Sequence, residues 1–262
     1  MLKFSVITVC YNSVSTIEAT LKSVGSLRYP DIEHIIIDGK STDGTLGLIK
    51  KCAGNSIVIS EPDKGMYDAM NKGISLATGD FIGILNADDI YVSPRIFDEL
   101  ASRLDQTRDI DFFYTDILYT SRDDISKITR YWNAGNLHKL KLYTGWHPPH
   151  TGLFISKRVI AQLGKYDLRY KIASDYDYMV RLLTKFKKGL YIPIVTVAMR
   201  SGGISNRSMA TILQANKECI ISAYRNIGIL AAIGAFLKIS RKIPQLFAFR
   251  KLSRLIPGNS LN

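Results

Sequence analysis

Five mostly apolar residues, Phe81-Ile82-Gly83-Ile84-Leu85, run directly into Asn86-Ala87-Asp88-Asp89. The first five read as a buried strand, and the two carboxylates fall where that strand ends. Adjacent like charges need water or a cation to compensate them. In an open α/β sheet, the carboxyl ends of the strands are where ligands bind. Carboxylate oxygens suit Mg²⁺ or Mn²⁺, which complete their coordination with phosphate oxygens. The first expectation is therefore a site for a metal and a diphosphate. A solvent-facing acidic turn before the next helix is the competing reading.

The flanking sequence supports the strand. Phe4–Val9 reads as a strand, Ser15–Val24 as a helix and Ile35–Ile37 as a strand ending in Asp38. A turn-rich loop, Asp38–Thr45, leads to a helix near 46–51, and Ile57–Ser60 forms a third strand. Met66, Ala69, Met70, Ile74 and Ala77 recur at helical spacing over 66–77. Ser93-Pro94 reads as an N-cap followed by proline at the first helical position, opening a helix to Leu104. The alternation predicts an α/β fold with a doubly wound, mostly parallel, Rossmann-like sheet. Val9/Tyr11, Asp38, Glu61-Pro62-Asp63 and Asp88-Asp89 then all lie at strand ends. Asp38 suits a ribose hydroxyl or a base N–H, although an Asx-turn would also use it.

Past residue 110 the pattern changes. Phe112–Tyr119 and Lys127–Trp132 predict a hairpin, Gly152–Ser156 a strand, Asp177–Phe186 a helix and Tyr191–Met199 another strand. Residues 200–207 form a polar Gly/Ser loop that could act as a lid, and the chain is helical from Ser208. The expected organisation is a catalytic domain over 1–215, split into a nucleotide-binding half (1–110) and an acceptor-binding half (111–215). A basic, amphipathic helical tail follows over 216–262.

Charge narrows the class of partner. The chain of 262 residues carries 35 Lys+Arg against 23 Asp+Glu, a net +12. From Cys219 onward there is no Asp or Glu, but there are seven basic residues. Between 227 and 255 these alternate with Ile, Leu and Phe, as in a helix lying in an anionic membrane surface. The aromatics there are not arranged as a stacking platform, which argues against nucleic acid. The apolar run 227–237 is too short to span a bilayer, which takes about 20 residues. Scattered Cys10, Cys52 and Cys219 give no disulfide framework, and Met1-Leu2-Lys3 lacks a signal-peptide pattern. The expected location is the cytoplasm, at the inner face of the cell membrane.

The segment after Phe4–Val9 is Cys10-Tyr11-Asn12-Ser13, not G-x-G-x-x-G, and no G-x-x-x-x-G-K-[ST] loop is present. An ordinary dinucleotide fold and a P-loop are thus excluded. Four ordered segments then carry a resemblance: Phe4–Asn12, Asp38-Gly39-x-Ser41-Thr42-Asp43-Gly44-Thr45, Gly65-x-Tyr67-Asp68-Ala69-Met70-Asn71-Lys72-Gly73, and Asn86-Ala87-Asp88-Asp89. Together they resemble the family 2 glycosyltransferases, inverting enzymes with a glycosyltransferase A-type fold. The likeness weakens towards residue 200 and fades after about 215.

The resemblance implies a nucleotide-sugar donor, a UDP-sugar with dTDP- and GDP-sugars left open, and Mn²⁺ or Mg²⁺ as cofactor. It implies a glycan or lipid-linked acceptor in surface-polysaccharide synthesis. Thr8, Val9 and Tyr11 would line the uracil pocket, with Tyr11 stacking on the base. Asp38 would contact the uridine, and Asp63 and Lys64 would lie beside the nucleotide. Asp88 would face the ribose or donor sugar, and Asp89 would bind the metal. The family's D-x-D begins here with Asn86. Its catalytic acidic pair is Ser174-Asp175 in this chain, which leaves Asp175 as the base. A carboxylate at a helix N-terminus is favoured as the anion. His150, with Phe154, matches an acceptor-site pattern, whereas two histidines three apart supply too few ligands for zinc. Two other readings stay open: a sugar-phosphate nucleotidyltransferase, and a non-catalytic module that binds nucleotide-sugar or membrane.

Overall fold

The structure is a computed structural model that describes residues 1–107, 109–202 and 208–236. Most of the expected lid (203–207) and of the basic tail (237–262) lies outside the described residues.

The first half alternates strand and helix as expected. β1 (Phe4–Cys10), α1 (Ile17–Gly25), β2 (Ile32–Asp38), α2 (Thr45–Cys52), β3 (Ile57–Ser60), α3 (Met66–Leu76) and β4 (Phe81–Ile84) follow in order. β3, β2, β1 and β4 are neighbours in that order, all parallel. Every residue of β1 is buried, as a strand covered on both faces must be. Phe4 and Val6 pack towards α1 and α4, while Ile7 and Val9 pack towards α3.

A short β5 (Ile90–Tyr91) and α4 (Ile96–Asp105) complete this half. α4 begins two residues later than the Ser93-Pro94 pattern predicts. The Pro94 carbonyl accepts from Arg28 N at 2.9 Å, and Ser93 Oγ accepts from Arg95 N at 3.2 Å. Those bonds hold 93–95 as a turn, so the helix starts after them.

The second half is mixed. β6 (Phe112–Thr120) and β7 (Ile128–Trp132) form the expected hairpin. α5 (Lys139–Leu142), a 3₁₀ turn (His150–Gly152), β8 (Leu153–Ser156), α6 (Lys157–Leu163), α7 (Ser174–Lys185) and β9 (Gly189–Arg200) follow. β8 inserts between β4 and β6, antiparallel to both, and β9 lies parallel to β6. The two halves thus share one sheet. Gly83 makes the junction possible: a Cβ there would sit 2.5 Å from the Phe154 ring. Phe154 stacks on Phe113 and meets Phe4 and Phe97 edge-on, in an aromatic core under the junction.

The expected boundary at 215 does not survive. α8 (Met209–Asn226) is capped by a Ser208–Thr211 box and runs straight through it. With α9 (Ile229–Phe236), it shares a core containing Ala173, Tyr176, Val180, Cys219, Ala223, Ala231 and Ala235. Glu218 is buried and accepts from the backbone N–H groups of Lys171, Ile172 and Ala173 at 2.9–3.1 Å. These are the residues that lead into α7. Helix α8 therefore belongs to the body of the protein and fixes where α7 starts.

Two predictions follow from this packing. Glu218→Ala strands three backbone donors and should cost about 3 kcal/mol in urea unfolding. An unchanged midpoint would contradict the capping role. The second concerns His34, whose ring is held between Thr8 Oγ1 (3.0 Å) and Ser56 Oγ (2.9 Å). Burial lowers its pKa from 6.5 to about 4. Above pH 6.5 the ring is neutral both folded and unfolded. As pH falls from 6.5 towards 4, the unfolded chain takes up a proton that the folded one refuses, so stability is lost. The loss attributable to His34 should approach about 3 kcal/mol near pH 4. His34→Gln should flatten that part of the profile, and a parallel profile would contradict this assignment.

Candidate active site

The carboxyl ends of β1, β2, β3 and β4 converge, and their following loops build one wall of the site. Asp38 ends β2, fully buried. Its carboxylate accepts from Ser41 Oγ at 2.5 Å, Ser60 Oγ at 2.6 Å and Ser41 N at 3.2 Å. Asn12 and Lys40 both adopt left-handed backbone, φ 48° and 62°. Asn12 N donates to Ser41 Oγ at 2.9 Å, and Asn12 Oδ1 accepts from Thr42 N at 2.9 Å. Asp38 thus orders the 38–45 loop beside the end of β1, the local turn role that competed with ligand binding in the sequence.

Tyr11 stands at the end of β1 with 62% of its surface exposed. Gly39 lies between it and Asp63. A Cβ at Gly39 would meet Asp63 Oδ2 at 2.5 Å and the Tyr11 ring at 3.3 Å. Tyr11, Gly39 and Asp63 are therefore neighbours at the ends of β1, β2 and β3. Asp63 Oδ1 accepts from Gly65 N at 2.8 Å, which orients the carboxylate at the start of α3. Lys64 is exposed beside it.

Thr8 and Val9 are placed differently from expectation. Thr8 is fully buried with its hydroxyl on His34, and Val9 packs in the core with Ile7 and Tyr67. Strand alternation sends these two side chains to opposite buried faces. Both side chains are buried, and Tyr11 is the exposed residue of the three.

The acidic pair divides in an unexpected way. Asp89 is completely buried. Its Oδ2 accepts from Asn86 Nδ2 at 3.1 Å and its Oδ1 from Arg200 N at 3.2 Å. Burial and then the neighbouring Asp88 charge push its pKa well above the usual range. The expectation gave Asp89 to the metal; in the structure its oxygens tie the end of β4 to the end of β9. Asp88 is the half-buried carboxylate of the pair. Asn86 Oδ1 and Arg200 Nε are buried without a hydrogen-bond partner among the described residues. Asn86 Oδ1 and the Asp88 carboxylate are oxygen donors of the kind that suit a divalent cation taking its other ligands from a diphosphate, whereas Arg200 Nε is an N–H donor suited to an anion. Among the described residues no group of three or more His, Cys, Asp or Glu could hold a metal by itself.

Across the site, Asp175 lies in the first turn of α7, which starts three residues earlier than predicted. Its Oδ1 accepts from Tyr67 Oη at 3.1 Å and from Tyr176 N at 2.8 Å. Tyr67 Oη also reaches the Ile172 carbonyl, at 2.6 Å. Burial and the Asp175 charge keep the Tyr67 phenol protonated. A protonated phenol and a backbone N–H thus hold one carboxylate oxygen in place. His150 bonds Tyr166 Oη through Nε2 at 2.8 Å, and burial lowers its pKa while Asp175 pulls it upward. The structure therefore brings His150 into the field of Asp175. Tyr67, Tyr166, Arg200 and Glu218 were missed by sequence reasoning. Tyr67 sits inside a motif already singled out and Arg200 opens the 200–207 loop read as a lid, whereas Tyr166 and Glu218 carry no local signal.

Comparison with known proteins agrees with this architecture. Residues 5–163 match the family model "Glycosyl transferase family 2". The PGL/p-HBAD biosynthesis glycosyltransferase of Mycobacterium tuberculosis is 29% identical over 214 residues, 78% of this chain and 79% of that protein. The Escherichia coli UDP-Glc:alpha-D-GlcNAc-diphosphoundecaprenol beta-1,3-glucosyltransferase WfaP is 36% identical over 98 residues, 37% of this chain and 39% of that protein. Staphylococcus aureus TarS 1–349 in complex with UDP-GlcNAc superposes with a TM-score of 0.65 at 16% identity, covering 95% of this chain and 73% of that one. Glucosyl-3-phosphoglycerate synthase from M. tuberculosis, in complex with Mn²⁺, UDP and glucosyl-3-phosphoglycerate, gives 0.60 at 16% identity over 87% and 81%. These neighbours share the glycosyltransferase A-type fold expected from the motifs. The chain belongs to glycosyl transferase family 2.

Proposed function

We propose that this protein is a metal-dependent, inverting glycosyltransferase that moves a sugar from a UDP-sugar to an acceptor hydroxyl on a lipid-linked glycan. The observation that carries the reading is that the acidic end of β4 and the first turn of α7 act on one group: Asp89 and Asp175 both raise the pKa of the Tyr119 phenol. Asp88 follows β4, the parallel neighbour of β1, and Asp175 lies in the first turn of α7.

Tyr11 stacks on the base, and Asp63 and Lys64 flank the nucleotide. Asp38 shapes the loop that carries Gly39. Asp88 and Asn86 Oδ1 are the residues that would hold Mn²⁺ or Mg²⁺. The bound cation supplies positive charge against which the departing diphosphate is stabilised. Arg200 adds a second cation at the same end of the site. Asp175 accepts the proton of the acceptor hydroxyl while that oxygen forms a bond to the anomeric carbon. The bond from that carbon to the diphosphate oxygen breaks, and its electron pair leaves with UDP. Attack from the face opposite the diphosphate inverts the centre. UDP-bound structural neighbours and a relative named for a UDP-Glc donor support the donor class.

The same relative's name supports a diphosphoundecaprenol-linked acceptor, as in surface-polysaccharide assembly. A peripheral contact with the cytoplasmic face of the membrane fits such a substrate. Ile229, Leu230, Ile233 and Phe236 on α9 are 53–69% exposed. Among the described residues, no helix is long and apolar enough to cross a membrane.

Asp175→Asn should leave UDP affinity within about twofold and lower kcat by about 10³-fold or more, because only the proton acceptor is lost. Proton NMR of the wild-type product should show the anomeric configuration opposite to that of the donor. Retention of configuration, or full activity in Asp175→Asn, would contradict the mechanism.

A further inference from the structure

An aromatic ladder lies between the acidic end of β4 and the first turn of α7. Tyr119 on β6 stands opposite Arg130 on β7, and Trp132 follows two residues later on the same face of the hairpin. The Arg130 guanidinium carbon lies 3.6 Å from the Tyr119 ring centroid. Trp132 is nearly parallel to Tyr119, at 9° and 6.2 Å. His147 meets Trp132 edge-on at 5.4 Å, and Tyr176 at 5.5 Å. Tyr176 is the residue after Asp175.

The other end of the ladder approaches the donor side. Thr120, next to Tyr119, pairs with Arg200, whose N–H is bonded to Asp89. The Tyr119 hydroxyl is pushed up to about 12, chiefly by burial and opposed by Arg130, with Asp89 and Asp175 both adding to the rise. One phenol therefore senses both carboxylates.

This ladder differs from the core aromatics. Phe113 and Phe154 are completely buried, whereas Tyr119, Arg130, Trp132 and His147 are only half-buried. The Trp132 segment is also braced from its other face. Buried Asp116 accepts from Ala134 N at 2.8 Å, from Tyr191 Oη at 2.9 Å and from the Tyr131 hydroxyl. The residues on either side of Trp132 are thus fixed by one carboxylate. Partial exposure, rigidity and polar edges are the properties of a platform for a ring with one apolar face and hydroxyls around its rim.

We propose that Trp132, flanked by Tyr119, Arg130 and His147, is the acceptor subsite, and that the acceptor presents a pyranose ring. The ring packs against Trp132 with its attacking hydroxyl towards Asp175. Arg130 and His147 hydrogen-bond the ring hydroxyls. This assignment rests on the glycosyltransferase reading and deepens it: the acceptor is a saccharide, not a simple alcohol or a protein side chain. Trp132 is a substrate-binding residue here, with no part in the proton transfer.

Trp132 and Trp146 are the two tryptophans of the chain, so Trp146→Phe leaves Trp132 as the single indole reporter. In that background, with UDP and Mn²⁺ present, octyl β-glucopyranoside, octyl α-N-acetylglucosaminide and octyl α-mannopyranoside are titrated while tryptophan emission is followed. Octanol serves as the control. At least one pyranoside should give a saturable shift that octanol does not. In a separate Trp132→Leu variant, the KM for that glycoside should rise about tenfold or more, with UDP-sugar hydrolysis and UDP affinity within about twofold of wild type. Trp132→Phe should restore most of the loss. An equal loss of UDP affinity in Trp132→Leu would assign the ladder to the donor and overturn the proposal. An unchanged KM, or silence towards every pyranoside in a protein that binds UDP, would overturn it too. Failure of the wild type to bind any UDP-sugar would instead strike the donor reading on which the proposal rests.

Discussion

One buried carboxylate holds the two halves of this site in register. Asp89 leaves the end of β4 and is bonded to Arg200 N at the end of β9, with Asn86 closing its other side. Burying a carboxylate is costly, and that cost is offset only where hydrogen bonds and nearby positive charge are arranged around it. The arrangement brings Arg200 next to Asn86 and leaves the half-buried Asp88 as the second carboxylate of the pair. It also sets the height of the β6–β7 hairpin, because β6 pairs with β9 along its length. The end of β4, Arg200 and the aromatic ladder are linked through this contact.

A second anchor works from the opposite end. Glu218 on α8 caps the residues that lead into α7, and Tyr67 on α3 holds Asp175 from the side. The segment that carries Asp175 thus depends on a helix lying more than forty residues later in the chain. Removing the C-terminal helices as a dispensable tail would uncover the start of α7. The apolar outer face of α9 lies on the same helical pair, so a membrane contact there would act on the part of the molecule that positions Asp175.

Much of this was legible in the sequence, for identifiable reasons. Apolar runs ending in acidic residues revealed β2 and β4. The alternation of strand and helix put Tyr11, Asp38 and Asp63 at strand ends. Other features were not legible because they depend on distant partners. Asp88 and Asp89 are adjacent carboxylates, and only the β9 contact decides which one turns inward. Thr8 is different: strand alternation already opposed it to Val9, so its burial against His34 was open to inference. The start of α7 was misplaced because its capping residue, Glu218, is remote, and the boundary at 215 failed for the same reason. The antiparallel insertion of β8 likewise follows from the close approach of Gly83 to Phe154, a pairing that no local pattern announces.

The central claim is that the Asn86–Asp88 end of β4 holds a diphosphate through a divalent cation. Calorimetric titration of UDP, with and without Mn²⁺, into the wild type and into Asp88→Asn tests it most directly. The account predicts that Mn²⁺ tightens UDP binding about tenfold or more in the wild type and by little in Asp88→Asn, with Tyr11 and Asp63 still supporting weak, metal-independent binding in both. Equal affinity with and without Mn²⁺ in the wild type, or undiminished Mn²⁺ enhancement in Asp88→Asn, would contradict it.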